Sequence, residues 1–202
     1  MFIQVIQGTV SDADALRQRL DEWVEQLAPD AIGWLGTTAG VADDGRFVAM
    51  ARFESADAAR RNSDRPEQGE WWAKTVDVLE GEPTVHDCDD VVLMGNGGDD
   101  AAGFVQVMQG RVSDVERMRA IGDQFESASA GFRPDVLGGV VALHGDGSYT
   151  NAIYFSSEEE ARKGEAQQAP PELEALLQEE RELHEGEIDF LDLRDPWLSS
   201  PR

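Results

Sequence analysis

The stretch FIQVIQGTVSD at positions 2–12 returns as FVQVMQGRVSD at positions 104–114, with eight of the eleven residues identical. The correspondence continues at the same offset of 102, setting Gly45 on Gly147, Phe47 on Tyr149, Phe53 on Phe155, Ser55 on Ser157 and Arg60 on Arg162. Toward the end the offset grows to 105, so that EGE at 80–82 meets EGE at 185–187 and Asp87 meets Asp192. Small insertions account for the change. A chain with this internal likeness must build the same supersecondary unit twice. The boundaries read as a first repeat at 1–94, a connecting segment GNGGDDAAG at 95–103 rich in glycine and aspartate, and a second repeat with its tail at 104–202.

Each repeat shows the same run of elements. A strand comes first, at 2–7 and 104–109. A helix follows, announced by Ser113 with Glu116 three residues on and, more weakly, by Ser11 with Asp14. Its apolar stripe is Leu16, Leu20, Trp23, Val24 and Leu27 in one copy and Met118, Ile121 and Phe125 in the other. Next come two strands joined by glycine-containing turns at 43–45 and 144–147. A second helical region, broken near Pro66 in one copy and near Pro170 and Pro171 in the other, leads to closing strands PTVHDC and EIDFLDL. The order strand, helix, strand, strand, helix, strand predicts the α+β class, with two tandem ferredoxin-like (βαββαβ) units. In the first strand Ile3 and Val5 point one way and Phe2 and Ile6 the other, so both sheet faces need cover. One face is met by helices. The expectation for the other is the sheet of the second repeat, giving a pseudo-dimeric barrel inside one chain and a monomer as the default state.

The chemistry of the surface excludes some partners. With 41 Asp and Glu against 17 Lys and Arg, the formal charge is −24, and phosphate backbones would be repelled. Nucleic acid is therefore not an expected partner. No apolar run reaches the roughly 20 residues of a membrane span, and the N-terminal strand carries Gln4 and Gln7 without a basic region or cleavage site. Cys88 is the sole cysteine, so no internal disulfide can form, which fits a reducing cytoplasm.

With these residues in view, the chain resembles the dimeric α+β barrel superfamily, in particular the antibiotic-biosynthesis-monooxygenase-like group. The pattern RFESADAAR…S…PE…WW……LEGEPTVHD resembles that group's third strand, broken helix and final strand, and the likeness covers nearly the whole chain twice. It implies a gap between helices and sheet that holds a small hydrophobic or aromatic molecule. It also implies oxygen chemistry on an aromatic or quinol-like substrate, assisted by protein side chains and needing no cofactor. In the first unit this points to His86, Arg52 and Asn62 as catalytic candidates, with Trp34 and Trp72 as substrate-binding walls. Trp71 and Trp72 are helix neighbours about 100° apart, so only one of them can face inward fully. In the second unit Asn151 and Tyr154 are the corresponding substrate-binding candidates. Tyr149 shares a strand face with Asn151, and Tyr154 lies on the opposite face. Gln4 and Gln106, recurring at one strand position, are candidates to orient a ligand or, equally, to pair within the structure. Asp87 with Arg60, and Asp192 with Arg162, read as ion pairs closing each unit.

Two other readings belong to different classes. One is a non-catalytic module serving assembly or regulation. The other is a haem protein in which His184 provides a single axial ligand, as in the chlorite-dismutase-like group, although no motif of that group is matched. His86, His144 and His184 do not share metal-ligand spacing, so no zinc site is expected. The glycines of the connecting segment lack the strand before and helix after that a nucleotide-binding turn requires.

Overall fold

The computed structural model describes residues 1–129 and 131–201. It divides into two compact units, one of residues 1–91 with 195–202 and one of residues 92–194. The first unit contains β1 (Phe2–Thr9), α1 (Ala13–Gln26), β2 (Trp34–Val41), β3 (Arg46–Phe53), α2 (Ala56–Ser63), α3 (Pro66–Val76) and β4 (Thr84–Cys88). Strand β5 (Asp90–Met94) straddles the boundary. The second unit continues with β6 (Phe104–Arg111), α4 (Val115–Ser129), β7 (Val136–Leu143), β8 (Ser148–Phe155), α5 (Glu158–Glu165), α6 (Pro171–Leu183) and β9 (Asp189–Leu193). Strand β10 (Trp197–Ser199) closes the chain. The α+β class and the two tandem units are as the repeat predicts.

The sheets are antiparallel and have five strands each, in the orders β10-β2-β3-β1-β4 and β5-β7-β8-β6-β9. The fifth strand in each was not expected. Each unit thus takes an edge strand from the segment that follows the other repeat. The two additions are equivalent: Trp197 and Val92, 105 residues apart, join matching apolar clusters of their own units. A bulge breaks the register between Trp34 and Gly36, and again between Val136 and Gly138. At both glycines a side chain would collide with the added segment. A Cβ on Gly36 would stand 2.8 Å from the Ser199 carbonyl oxygen, and one on Gly138 would stand 2.2 Å from that of Gly97.

Strand register sorts the faces. Phe2 pairs with Phe53, and both join Trp23 of α1, Leu27 just past its end, and Ala58 and Ala59 of α2 in one core cluster. Ile3 and Val5 lie on the other face, fully buried, as do Val105 and Val107 in the second unit. The helix starts correct one expectation. Asp12, not Ser11, caps α1 by accepting from the Ala15 amide at 3.0 Å, and Asp114, not Ser113, accepts from the Arg117 amide at 2.9 Å. Ser113 instead donates its hydroxyl to the Leu183 carbonyl at 3.1 Å, tying the start of α4 to the end of α6.

Cys88 is buried at the end of β4. Burial, together with Asp87, Asp89 and Asp90, pushes its thiol from 9.0 up to about 11. It is therefore a small core residue and not a nucleophile at neutral pH.

Candidate functional site

The expected first-unit site does not assemble. Arg52 pairs across the ladder with Ile3, and His86 with Val5. Both therefore project from the sheet face turned away from the helices, with β1 between them and about 10 Å, two strand spacings, separating their strands. Asn62 sits on α2, on the other side of the sheet. It is buried, and its Oδ1 accepts from Arg65 Nη1 at 3.0 Å while the same Nη1 donates to the Leu27 carbonyl at 3.0 Å. That arrangement ties α2 to the end of α1. Trp71, not Trp72, turns into the core: it packs against the Trp23 cluster and donates Nε1 to the Arg19 carbonyl at 2.8 Å. Trp34 meets Trp23 edge-on at 5.0 Å and donates Nε1 to Thr37 Oγ1. Three indoles, Trp23, Trp34 and Trp71, thus pack in series under the helices of this unit.

The recurring glutamines are committed in the same way twice. Gln4 Nε2 donates to Asp87 Oδ1, and Gln106 Nε2 to Asp192 Oδ1, each at 3.0 Å. The closing ion pair forms only in the second unit, where Arg162 bonds Asp192; Arg60 turns instead to Asp57 at 2.8 Å. Tyr154 is buried on the face away from the helices, opposite in sense to Asn151.

A different group of residues does come together, at one end of the second unit's helix-covered sheet face. Tyr149 on β8 places its hydroxyl 2.8 Å from His184 Nε2, at the end of α6. The phenol fits there because residue 110 is glycine: a Cβ would lie 3.0 Å from the phenol oxygen. His184 Nδ1 is 2.8 Å from the Glu180 backbone carbonyl. A carbonyl can only accept, so Nδ1 carries the proton, and neutral Nε2 accepts the Tyr149 O–H. The Glu180 carboxyl is held above the ordinary range, chiefly by burial and against the pull of His184 and Arg181. Burial, with a smaller contribution from the Glu180 charge, pushes the Tyr149 phenol up to about 12. Asn151 lies two residues along the same strand face, roughly 7 Å from Tyr149 backbone to backbone. Its Oδ1 is buried with no hydrogen-bond partner among the described residues. Asn151, Met108 and Ile153 stay partly open although Met118 of α4 and Leu183 of α6 cover this face.

Set on the first repeat, these positions are Phe47, Leu79, Thr75 and Ala49 in place of Tyr149, His184, Glu180 and Asn151. The first unit closes this corner with three apolar residues and Thr75, whose hydroxyl donates to the Trp71 carbonyl at 2.9 Å, and the second carries four polar groups there. The haem reading meets an obstacle at the same point. Both ring nitrogens of His184 are hydrogen-bonded, so an axial bond through Nε2 would break the contact to Tyr149. No group of His, Cys, Asp and Glu suited to a metal ion occurs among the described residues, and none of their helices is long and apolar enough to cross a membrane.

The Tyr149 shift makes stability depend on pH. Between pH 10 and about 12 an unfolded chain releases the phenol proton that the folded one keeps, so stability falls as pH rises through that window. At about 1.4 kcal/mol per unit, the full loss is about 2–3 kcal/mol. Tyr149→Phe removes this dependence. The gap in melting temperature between wild type and variant should narrow from pH 9 to pH 12, and a constant gap would refute the assignment.

Each of the two units has the ferredoxin-like α+β fold, and the chain as a whole shares its fold with solved structures. A candidate monooxygenase from Lactobacillus acidophilus superimposes with a TM-score of 0.76 at 13% identity, over 98% of this chain and 95% of that one. A second, from Fusobacterium nucleatum, gives 0.75 at 9% identity over 98% and 94%. An anthrone oxidase-like protein gives 0.61 at 12% identity over 98% and 93%. No protein-family model matches the sequence, and comparison with curated proteins yields no match.

Proposed function

We propose that the second unit is the active one and that the chain is a monooxygenase of a hydroxylated, electron-rich aromatic or quinol-like molecule, needing no cofactor. The observation that carries this reading is the Tyr149–His184 pair beside the unpartnered Asn151 oxygen, absent from the equivalent corner of the first unit. Tyr149 gives its proton to His184, so its oxygen faces the remaining space as an acceptor. Asn151 Oδ1 is a second acceptor. Such a site selects a ligand that brings O–H donors. The likeness of fold to the oxygenase candidates and to the anthrone oxidase-like protein supports the reaction class, and the chemistry follows from this chain's own residues.

The substrate hydroxyl passes its proton to Tyr149 Oη as the tyrosine passes its own to His184 Nε2. The imidazolium so formed is held by the Glu180 carbonyl and lies in the field of its carboxylate. The substrate anion is then electron-rich enough to give an electron to dioxygen and combine with it. For a quinol, one oxygen atom enters at a ring carbon, the other leaves as water, and the product is a hydroxyquinone. The substrate supplies all four electrons. Oxygen uptake with a panel of hydroquinones and polycyclic phenols tests this directly. With isotopically labelled dioxygen, one labelled atom should appear in the product and the other in water; uptake that yields only hydrogen peroxide would overturn the reading.

A further inference from the structure

The first unit holds a cleft of about 650 Å³ where the C-terminal end of α1 meets the start of β2, walled by Val24, Ala28, Pro29, Trp34 and the tail residue Pro201. Nothing in the proposed oxygenase chemistry uses it. Glu25 is the one charged residue that lines it, and no basic residue does. The Glu25 side chain is exposed, and no hydrogen bond or ion pair engages its carboxylate among the described residues.

The backbone adds to this charge. A helix ends in carbonyls that find no donor within it, and its dipole is negative there. A basic side chain in the last turn can offset that pole, and α1 has none. The Glu25 carbonyl would take its helical bond from residue 29, which is proline and has no N–H. The Gln26 carbonyl would take its bond from Asp30, whose N–H goes instead to the Leu27 carbonyl at 3.2 Å. Arg65 also donates to the Leu27 carbonyl, but Glu67 matches its charge at 3.0 Å and it does not line the cleft. The cleft therefore joins apolar walls to one uncompensated negative end.

The second repeat lacks these groups. The offset of 102 sets Ser127 on Glu25, Gly131 on Pro29 and Val136 on Trp34. The pairing of Trp34 with Phe53, and of Val136 with Phe155, holds that alignment in the sheets.

We infer that the Trp34 cleft is a binding site for a small aromatic amine in its ammonium form. The ammonium meets the Glu25 carboxylate and brings N–H donors to carbonyls that lack them. The ring lies along Trp34, Pro29 and Pro201. An anion is repelled by Glu25 and by the helix pole, and a neutral aromatic gains from the walls alone. The site stands independently of the oxygenase reading, because it lies in the other unit and shares no residue with the Tyr149–His184 corner.

Calorimetric titration with 2-naphthylmethylamine, the neutral 2-naphthylmethanol and the anionic 2-naphthoate tests the assignment. The amine should bind at least tenfold more tightly than the alcohol, with naphthoate weaker than both. Glu25→Gln, an exposed change that leaves the packing alone, should cut the preference for amine over alcohol at least threefold. Pro201→Lys, at an exposed tail position on the opposite wall, should do the same by placing a cation in the cleft. Glu187→Gln, the same loss of charge on the surface of the other unit, should leave the preference as it is, which separates the cleft from a general attraction of an acidic surface. Asn151→Ala should bind the amine as the wild type does. Equal affinity for amine and alcohol, no binding of either, an undiminished preference in Glu25→Gln or Pro201→Lys, or a matching loss in Glu187→Gln or Asn151→Ala would overturn the proposal.

Discussion

Replacing Tyr149 by Phe and His184 by Leu in one variant should lower kcat/KM for the quinol oxidation by about 10²–10⁴-fold, the usual contribution of a positioned acid–base pair. The choice of replacements makes this a sharp test. Phe47 and Leu79 already occupy these two positions in the first unit, where Phe47 sits in a cluster against Leu79 and Leu16. The doubly substituted second unit therefore takes up packing that the first repeat has shown to be sound. Its stability should change by only about 1–3 kcal/mol at neutral pH, the net worth of the two hydrogen bonds lost, Tyr149 to His184 and His184 to the Glu180 carbonyl. The two single variants should each lose nearly as much activity as the double one, because a relay broken at either member passes no proton. Far-UV dichroism and melting curves report the fold, and oxygen uptake reports the relay. If the double variant turns over quinols at the wild-type rate, the second unit's polar corner is not where the proton goes.

That corner was readable in the sequence, in the differences between the repeats more than in their likeness. The offset of 102 that sets Phe47 on Tyr149 also sets Ala49 on Asn151, and the later offset of 105 sets Thr75 on Glu180 and Leu79 on His184. Three polar-for-apolar exchanges, with a fourth of glutamate for threonine, at aligned positions are the signal. Attention to residues that recur leads elsewhere, to Gln4 and Gln106, which hold Asp87 and Asp192 and so keep the strands in register. The catalytic expectation for Arg52, His86 and Asn62 fails on parity: Ile3 and Val5 share a face with Arg52 and His86, and a residue on α2 packs against the reverse side. Strand and helix order, by contrast, followed from the duplication, because each weak local signal was seen twice. The helix caps slipped by one residue because Ser and Asp stand side by side at both starts, and either can cap. The edge strands escaped notice for a different reason. Strand β10 has three residues and no alternation to detect, and β5 borders a glycine-rich segment that reads as a connector. What makes them strands is the partner edge, which is a property of the folded sheet.

Removing residues 195–202 should for that reason have the largest effect on stability of any change away from the site. Trp197, Leu198 and Ser199 pair with Ala39, Thr38 and Thr37, and Trp197 joins the cluster of Leu16, Ala39 and Phe47. Arg17 reinforces the attachment, lying 5.9 Å from the Trp197 ring centroid and bonding Asp195. Loss of a half-buried indole and three strand pairings should destabilise the first unit by about 3–5 kcal/mol, the range for deleting a large aromatic from a core. The exposed edge would be β2, whose sequence WLGTTAGV carries no charge and no proline to discourage pairing with another chain. Truncation should therefore bring concentration-dependent aggregation as well as a lower melting temperature, and amide exchange should accelerate across residues 34–41. Gly36→Val perturbs the same edge without shortening the chain: its side chain would meet the Ser199 carbonyl oxygen and Arg52 Nη2, and the φ of +133° strains valine besides, so amide protection of residues 34–41 is its readout for β10. Should both proteins melt with the wild type and protect residues 34–41 equally well, β10 contributes nothing to the sheet.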